Sequence, residues 1–134
     1  MNRVLIDGNS LTIEDVVNVS RKNYEVRLTE EALSKVKIAR DLVDKLVDEE
    51  RISYGITTGF GKFSDVAISK EDAKQLQRNL IISHACGVGN PLSEDIVRGI
   101  MLLRVNALSK GHSGIRIETL QTLVEMINKG VHPI

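Results

Sequence analysis

Apolar residues recur at every third or fourth position over most of the 134-residue chain. The clearest stripe is Ala32, Leu33, Val36, Ala39, Leu42, Val43, Leu46 and Val47, which predicts a long helix beginning after Thr29 and running to about Glu50. Thr29 suits its cap, and Glu30 and Glu31 suit a first turn where the helix dipole favours negative charge. A second helix is expected from a Ser69 cap, with Ala73, Leu76, Leu80 and His84 on one face, up to the breaker run Gly87-Val88-Gly89-Asn90-Pro91. Ser93 opens a third, in which Ile96, Val97, Ile100, Met101, Leu102, Leu103, Val105 and Leu108 are apolar almost all round, the pattern of a helix buried in a larger assembly. A fourth carries Ile117, Leu120, Val124 and Ile127 at seven-residue spacing and closes at Gly130.

The first thirty residues are shorter-ranged. Arg3 to Ile6 reads as a short strand before the turn cluster Asp7-Gly8-Asn9-Ser10. Thr12 with Asp15 marks a helix start, followed by Ile13, Val16, Val17 and Val19 as its apolar face, and the alternation of Tyr24, Val26 and Leu28 allows a second strand. The expected class is therefore mostly α with at most short N-terminal strands, organised as one helical domain over residues 1–134.

Composition narrows the possibilities. Aromatic residues are 3% of the chain and tryptophan is absent, so the core is aliphatic. Eighteen basic residues balance eighteen acidic ones, which removes net charge as an argument for a nucleic-acid or membrane partner. Cys86 is the only cysteine, so an intrachain disulfide is impossible, and a small packed side chain is its expected role. With no basic-then-apolar leader and no long apolar run, a cytoplasmic protein is expected.

One loop breaks the helical pattern. Tyr54-Gly55-Ile56-Thr57-Thr58-Gly59-Phe60-Gly61 holds three glycines in eight residues, so its backbone can adopt angles closed to other residues and approach a ligand closely. It is not a phosphate loop: five residues separate Gly55 from Gly61, and Lys62 is followed by Phe63 rather than Ser or Thr. Gly87-Val88-Gly89 likewise lacks the third glycine and preceding strand of a dinucleotide site. His84 read by spacing alone is a buried histidine bonded to a carbonyl. His112 and His132 sit at helix ends, solvated or favouring the carboxyl-end dipole. No pair of histidines has metal-ligand spacing, so no metal site is expected. Arg98 and Arg104, on an otherwise apolar helix, are expected to reach a carboxylate or a helix end. Tyr54 is either a packing anchor or a phenol held for chemistry; with an ordinary pKa of ~10, it can act as a base only beside positive potential or strong donors.

Taken in order, the Tyr54–Gly61 loop, Leu76-Gln77-Arg78-Asn79-Leu80-Ile81-Ile82-Ser83-His84-Ala85-Cys86-Gly87-Val88-Gly89, the run Arg98 to Leu108, Gly111-His112-Ser113-Gly114-Ile115-Arg116 and Asn128-Lys129-Gly130-Val131-His132-Pro133 resemble the aromatic amino acid ammonia-lyases. The match is dense from Ser53 onward and loose before it. The resemblance implies the helical fold of the aspartase and ammonia-lyase group and elimination of ammonia from an aromatic amino acid. Ser83-His84 points to the histidine-specific branch, which forms urocanate, and away from the phenylalanine-type branch; tyrosine-type lyases and the related aminomutases are the alternatives. It further implies Tyr54 as base for the β-proton, His84 facing the substrate side chain, and Gly55, Gly59, Phe60 and Gly61 in a lid loop. A homotetramer and a methylidene-imidazolone made from an internal Ala-Ser-Gly are implied as well.

Two departures stand out. Thr57 occupies a position where the family has Asn, and no Ala-Ser-Gly occurs in the 134 residues. In the family that tripeptide follows shortly after the region matching His132-Pro133-Ile134. The expectation is an N-terminal segment without lyase activity alone, whose third and fourth helices lack partners. The rival reading is a helical interaction module with no chemistry.

Overall fold

A computed structural model describes residues 2–49, 51–53, 55–58 and 70–133, with the side chains at 70, 71, 73 and 74 left aside. Its elements run β1 (Arg3–Ile6), α1 (Ile13–Lys22), β2 (Glu25–Leu28), α2 (Glu30–Asp48), α3 (Lys70–His84), α4 (Glu94–Leu108) and α5 (Ile117–Lys129). The chain divides into two compact units, residues 1–40 with 90–134, and residues 41–89.

In the first unit β1 and β2 pair in parallel, Val4 opposite Val26 and Ile6 opposite Leu28. Parallel neighbours need a crossover, and α1 supplies it. Thr12 starts α1 with a complete capping box: its hydroxyl accepts from the Asp15 amide at 3.1 Å and the Asp15 carboxylate accepts from the Thr12 amide at 3.0 Å. Asn23, left-handed at φ 56°, ends it. The expected apolar face of this helix is buried only in part. Val19 is fully buried whereas Ile13, at the first turn, is 86% exposed.

The core joins Val4, Ile6, Val19, Val26, Val36, Met101, Leu102, Val105, Leu108, Leu120, Val124 and Ile127. It is aliphatic, as composition requires. The seven-residue stripe of α5 faces this core through Leu120, Val124 and Ile127. Helix α5 closes with Gly130 at φ 69°, its amide bonding to the Ile127 carbonyl and that of Val131 to the Met126 carbonyl, so the last carbonyls are satisfied. Helix α4 buries one face in this unit and leaves the other open, as expected of an all-round apolar helix that lacks partners. Met101, Leu102, Val105 and Leu108 are buried, but Ile96, Ile100 and Leu103 are 50%, 54% and 54% exposed on the opposite face. Ser93 occupies its N-cap without a side-chain bond to the helix backbone, because its hydroxyl donates instead to Asp95 at 2.7 Å.

Two glycines let the 109–114 loop lie against its neighbours. A Cβ on Gly8 (φ 89°) would come within 3.0 Å of the Lys110 backbone, and one on Gly111 (φ 76°) within 2.8 Å of the Lys35 backbone oxygen on α2. The Arg40 guanidinium holds the loop's far end by donating to the Gly114 carbonyl at 3.2 Å.

In the second unit, the end of α2 is tied off by the Arg51 amide donating to the Leu46 carbonyl. The 55–58 turn follows, and α3 ends at His84 as its breaker run requires. The Ser69 cap lies outside the described residues.

Candidate active site

Of the residues singled out by the sequence, Tyr54, Gly59, Phe60 and Gly61 lie outside the described residues. The turn between them is described at positions 55–58. Gly55 takes φ 70°, the left-handed conformation that glycine adopts without strain. Thr57 organises the turn. Its hydroxyl accepts from the Ser53 amide at 2.8 Å and donates to the Arg51 carbonyl at 2.5 Å, while the amides of Ile56 and Thr57 both reach the Ser53 carbonyl. Thr58 is buried, and its hydroxyl accepts from the Gly55 amide at 3.2 Å. A hydroxyl at position 57 thus supplies both an acceptor and a donor to the backbone that carries Tyr54.

His84 is the last residue of α3 and is exposed, not buried as spacing alone suggests. The carbonyl partner is as expected: Nδ1 stands 2.9 Å from the Leu80 carbonyl oxygen, one turn back. Ser83 completes the group, its hydroxyl 2.9 Å from the same carbonyl and 3.0 Å from Nδ1. Cys86, expected to pack, is exposed because it lies past the end of α3 in a segment with no cover. Among the described residues, no group of three or more His, Cys, Asp or Glu side chains is gathered for a metal ion.

The first unit uses its polar residues differently. Arg98, 4% exposed, takes the second of its expected partners, a helix end rather than a carboxylate. Its Nε and one terminal nitrogen donate to the Val19 carbonyl at 3.2 and 2.9 Å, and the other terminal nitrogen donates to the Ile127 carbonyl at 2.9 Å. Both carbonyls lie in the last turns of helices, α1 and α5, where the dipole attracts a cation. The same nitrogen is 3.4 Å from His132 Nε2, and His132 Nδ1 is 3.6 Å from a Glu94 carboxylate oxygen. His132 is therefore held between two side chains rather than solvated at a helix end. His112 and Arg104 are exposed.

Sequence reasoning passed over Asn128. Its amide oxygen accepts from the Val26 amide at 2.8 Å and its amide nitrogen donates to the Val26 carbonyl at 2.9 Å, so one side chain pairs with β2 as a neighbouring strand would. The only signal was an amide near the end of an amphipathic helix, which carries no information about a strand 102 residues away. A hollow of about 820 Å3 in this unit, lined by Glu25, Arg27, Leu28, Glu118 and Glu125 among others, contains none of the candidate site residues.

Residues 11–134 match the model of the family described as aromatic amino acid lyase. The chain belongs to that family. It is 65% identical over all 134 residues to the histidine ammonia-lyase of Alkaliphilus oremlandii, covering 26% of that relative's length. Among solved structures, the histidine ammonia-lyase of Trypanosoma cruzi superposes with a TM-score of 0.85 at 40% identity, over 94% of this chain and 25% of that one. The ergothioneine-degrading ergothionase of Treponema denticola superposes with a TM-score of 0.92 at 32% identity, over 98% and 27%. The chain thus spans about a quarter of the length of the curated relatives it matches. The helical architecture is what the residue pattern and the resemblance implied, and the two short strands among the described residues are what the pattern allowed.

Proposed function

We propose that this chain is the N-terminal part of an ammonia-lyase that converts L-histidine to urocanate. The supporting observation is likeness to histidine ammonia-lyases along the whole chain, together with His84 standing exposed at the end of α3. The reaction breaks a Cβ–H bond and the Cα–N bond and forms a carbon–carbon double bond, releasing ammonia. In this reading the Tyr54 phenolate oxygen takes the β-proton. That needs its pKa of ~10 lowered by positive potential or donors, since a base works best when poised near the operating pH. The Gly55–Gly61 loop covers the bound amino acid and excludes water, with Thr57 holding the turn beneath it. His84 faces the imidazole of the substrate.

The family's methylidene-imidazolone, when present, would supply an electrophile that makes the amine a better leaving group. These 134 residues do not fit the group: they hold no Ala-Ser-Gly, and their one Ser-Gly pair follows His112. That pair serves the loop, with Ser113 accepting from the Ile115 amide and the Gly114 carbonyl accepting from Arg40. The protein that carries the tripeptide downstream is proposed to be a cytoplasmic homotetramer. Among the described residues no helix is long and apolar enough to cross a membrane.

The test is an assay of the protein in the length its gene encodes. Histidine should yield urocanate and ammonia, and Tyr54→Phe should lower kcat by about 10²- to 10⁴-fold with folding unchanged. Turnover of tyrosine in place of histidine would assign it to the tyrosine-type branch. Failure to release ammonia from any aromatic amino acid would leave the interaction module.

A further inference from the structure

We propose that Ser83 is a positioning residue for His84. With the Leu80 carbonyl, it holds the imidazole as the Nδ1–H tautomer, so that Nε2 offers its lone pair to an N–H of the substrate ring. This rests on the reading of His84 as the residue facing the substrate.

The argument is one of donors and acceptors. The Leu80 oxygen can only accept, and it lies 2.9 Å from Nδ1. A lone pair on Nδ1 at that distance would face the carbonyl lone pairs, so the neutral ring carries its hydrogen on Nδ1. The Ser83 hydroxyl has one hydrogen and two competing uses for it, the Leu80 oxygen at 2.9 Å and Nδ1 at 3.0 Å. With Nδ1 already protonated, that hydrogen goes to Leu80, and the hydroxyl oxygen becomes a second acceptor for Nδ1–H. All three groups are then satisfied at once. The opposite tautomer would leave the Leu80 oxygen against a lone pair and turn Nε2 into a donor.

The consequence is a choice of substrate. An acceptor at Nε2 matches a ring bearing N–H, such as imidazole, and finds no partner on a phenyl ring. A site that must hydrogen-bond its substrate discriminates against analogues lacking the group far better than an apolar pocket does. Exposure of His84 at the helix end leaves Nε2 open to that use.

The experiment reads the tautomer directly, with no substrate and no turnover. The protein in its gene-encoded length is labelled with ring-15N histidine, and its 15N spectra are recorded above the pH at which histidine is neutral. His84 is assigned by difference against His84→Gln. The expected result is a pyrrole-type Nδ1 and a pyridine-type Nε2. In Ser83→Ala the population ratio should shift away from Nδ1–H by about three- to tenfold, the worth of one hydrogen bond. Ser83→Thr, which keeps the hydroxyl, should restore it, and unchanged circular dichroism separates the effect from unfolding. Finding Nε2–H in the parent protein, or no shift in Ser83→Ala, overturns the proposal. Because the signal is independent of catalysis, either outcome is distinct from failure of the lyase assignment.

Discussion

Replacing Arg98 by Met keeps most of the side-chain volume and removes the cation from two helix ends. The Val19 and Ile127 carbonyls would lose charge-assisted bonds in a site that is 4% exposed. We expect a loss of about 2–4 kcal/mol in urea unfolding. Arg98→Lys should recover only part of it, because an ammonium cannot present the fork that spans both oxygens. Asn128→Asp is a subtler case at the same scale: it keeps the acceptor for the Val26 amide but sets a carboxylate oxygen against the Val26 carbonyl. A loss of about 1–3 kcal/mol should follow, with Asn128→Ala in the same range, both read from urea midpoints. These two residues show where sequence reasoning stops. That a lone arginine in an apolar helix must find a partner was legible in the chain, and a helix end was among the partners expected. Which helix ends it would bridge, and that an asparagine would pair with a strand, depend on contacts between residues far apart in sequence, which periodicity does not encode.

At the scale of elements, capping and turn chemistry were the readable part. Thr12 and Asp15 make the capping box their spacing announces, and Thr12→Ala should cost about 1 kcal/mol in thermal or urea unfolding. Asp7 begins a turn in which one carboxylate oxygen accepts from the amides of Asn9 at 2.7 Å and Ser10 at 2.8 Å. The Ser10 amide first, then that of Asn9, draws its carboxyl down from 3.8 to about 2. A depressed carboxyl stabilises the fold above its unfolded value and gives that up as pH falls through the folded one. Asp7→Asn keeps the acceptor without the charge. Its thermal midpoint should therefore lie below that of the parent at pH 5 and converge on it as pH is lowered towards 2. Parallel curves over that range would show that the charge contributes nothing. The exposed face of α4 was legible as well, in the expectation that this helix lacks partners. An all-round apolar pattern says that a helix has two faces to bury, and the first unit supplies a partner for only one.

For the whole molecule, that uncovered face has a measurable consequence. Ile96, Ile100 and Leu103 recur at helical spacing on one side of α4, and each is at least half exposed. Light scattering on the 134-residue chain should show self-association, and the double variant Ile100→Glu, Leu103→Glu should reduce it. A monomer in the parent chain would contradict this. The candidate site was legible to a different degree. The Tyr54 loop and the Ser83-His84 pair stand out as blocks in order, but the Ala-Ser-Gly that the resemblance implies does not occur in these residues. The measurement that tests the central claim most directly is the product analysis of the protein in its gene-encoded length incubated with L-histidine. Urocanate and ammonia in equal amounts, abolished or nearly so in Tyr54→Phe, is the predicted result. Histidine left intact, or Tyr54→Phe as active as the parent, would contradict the account.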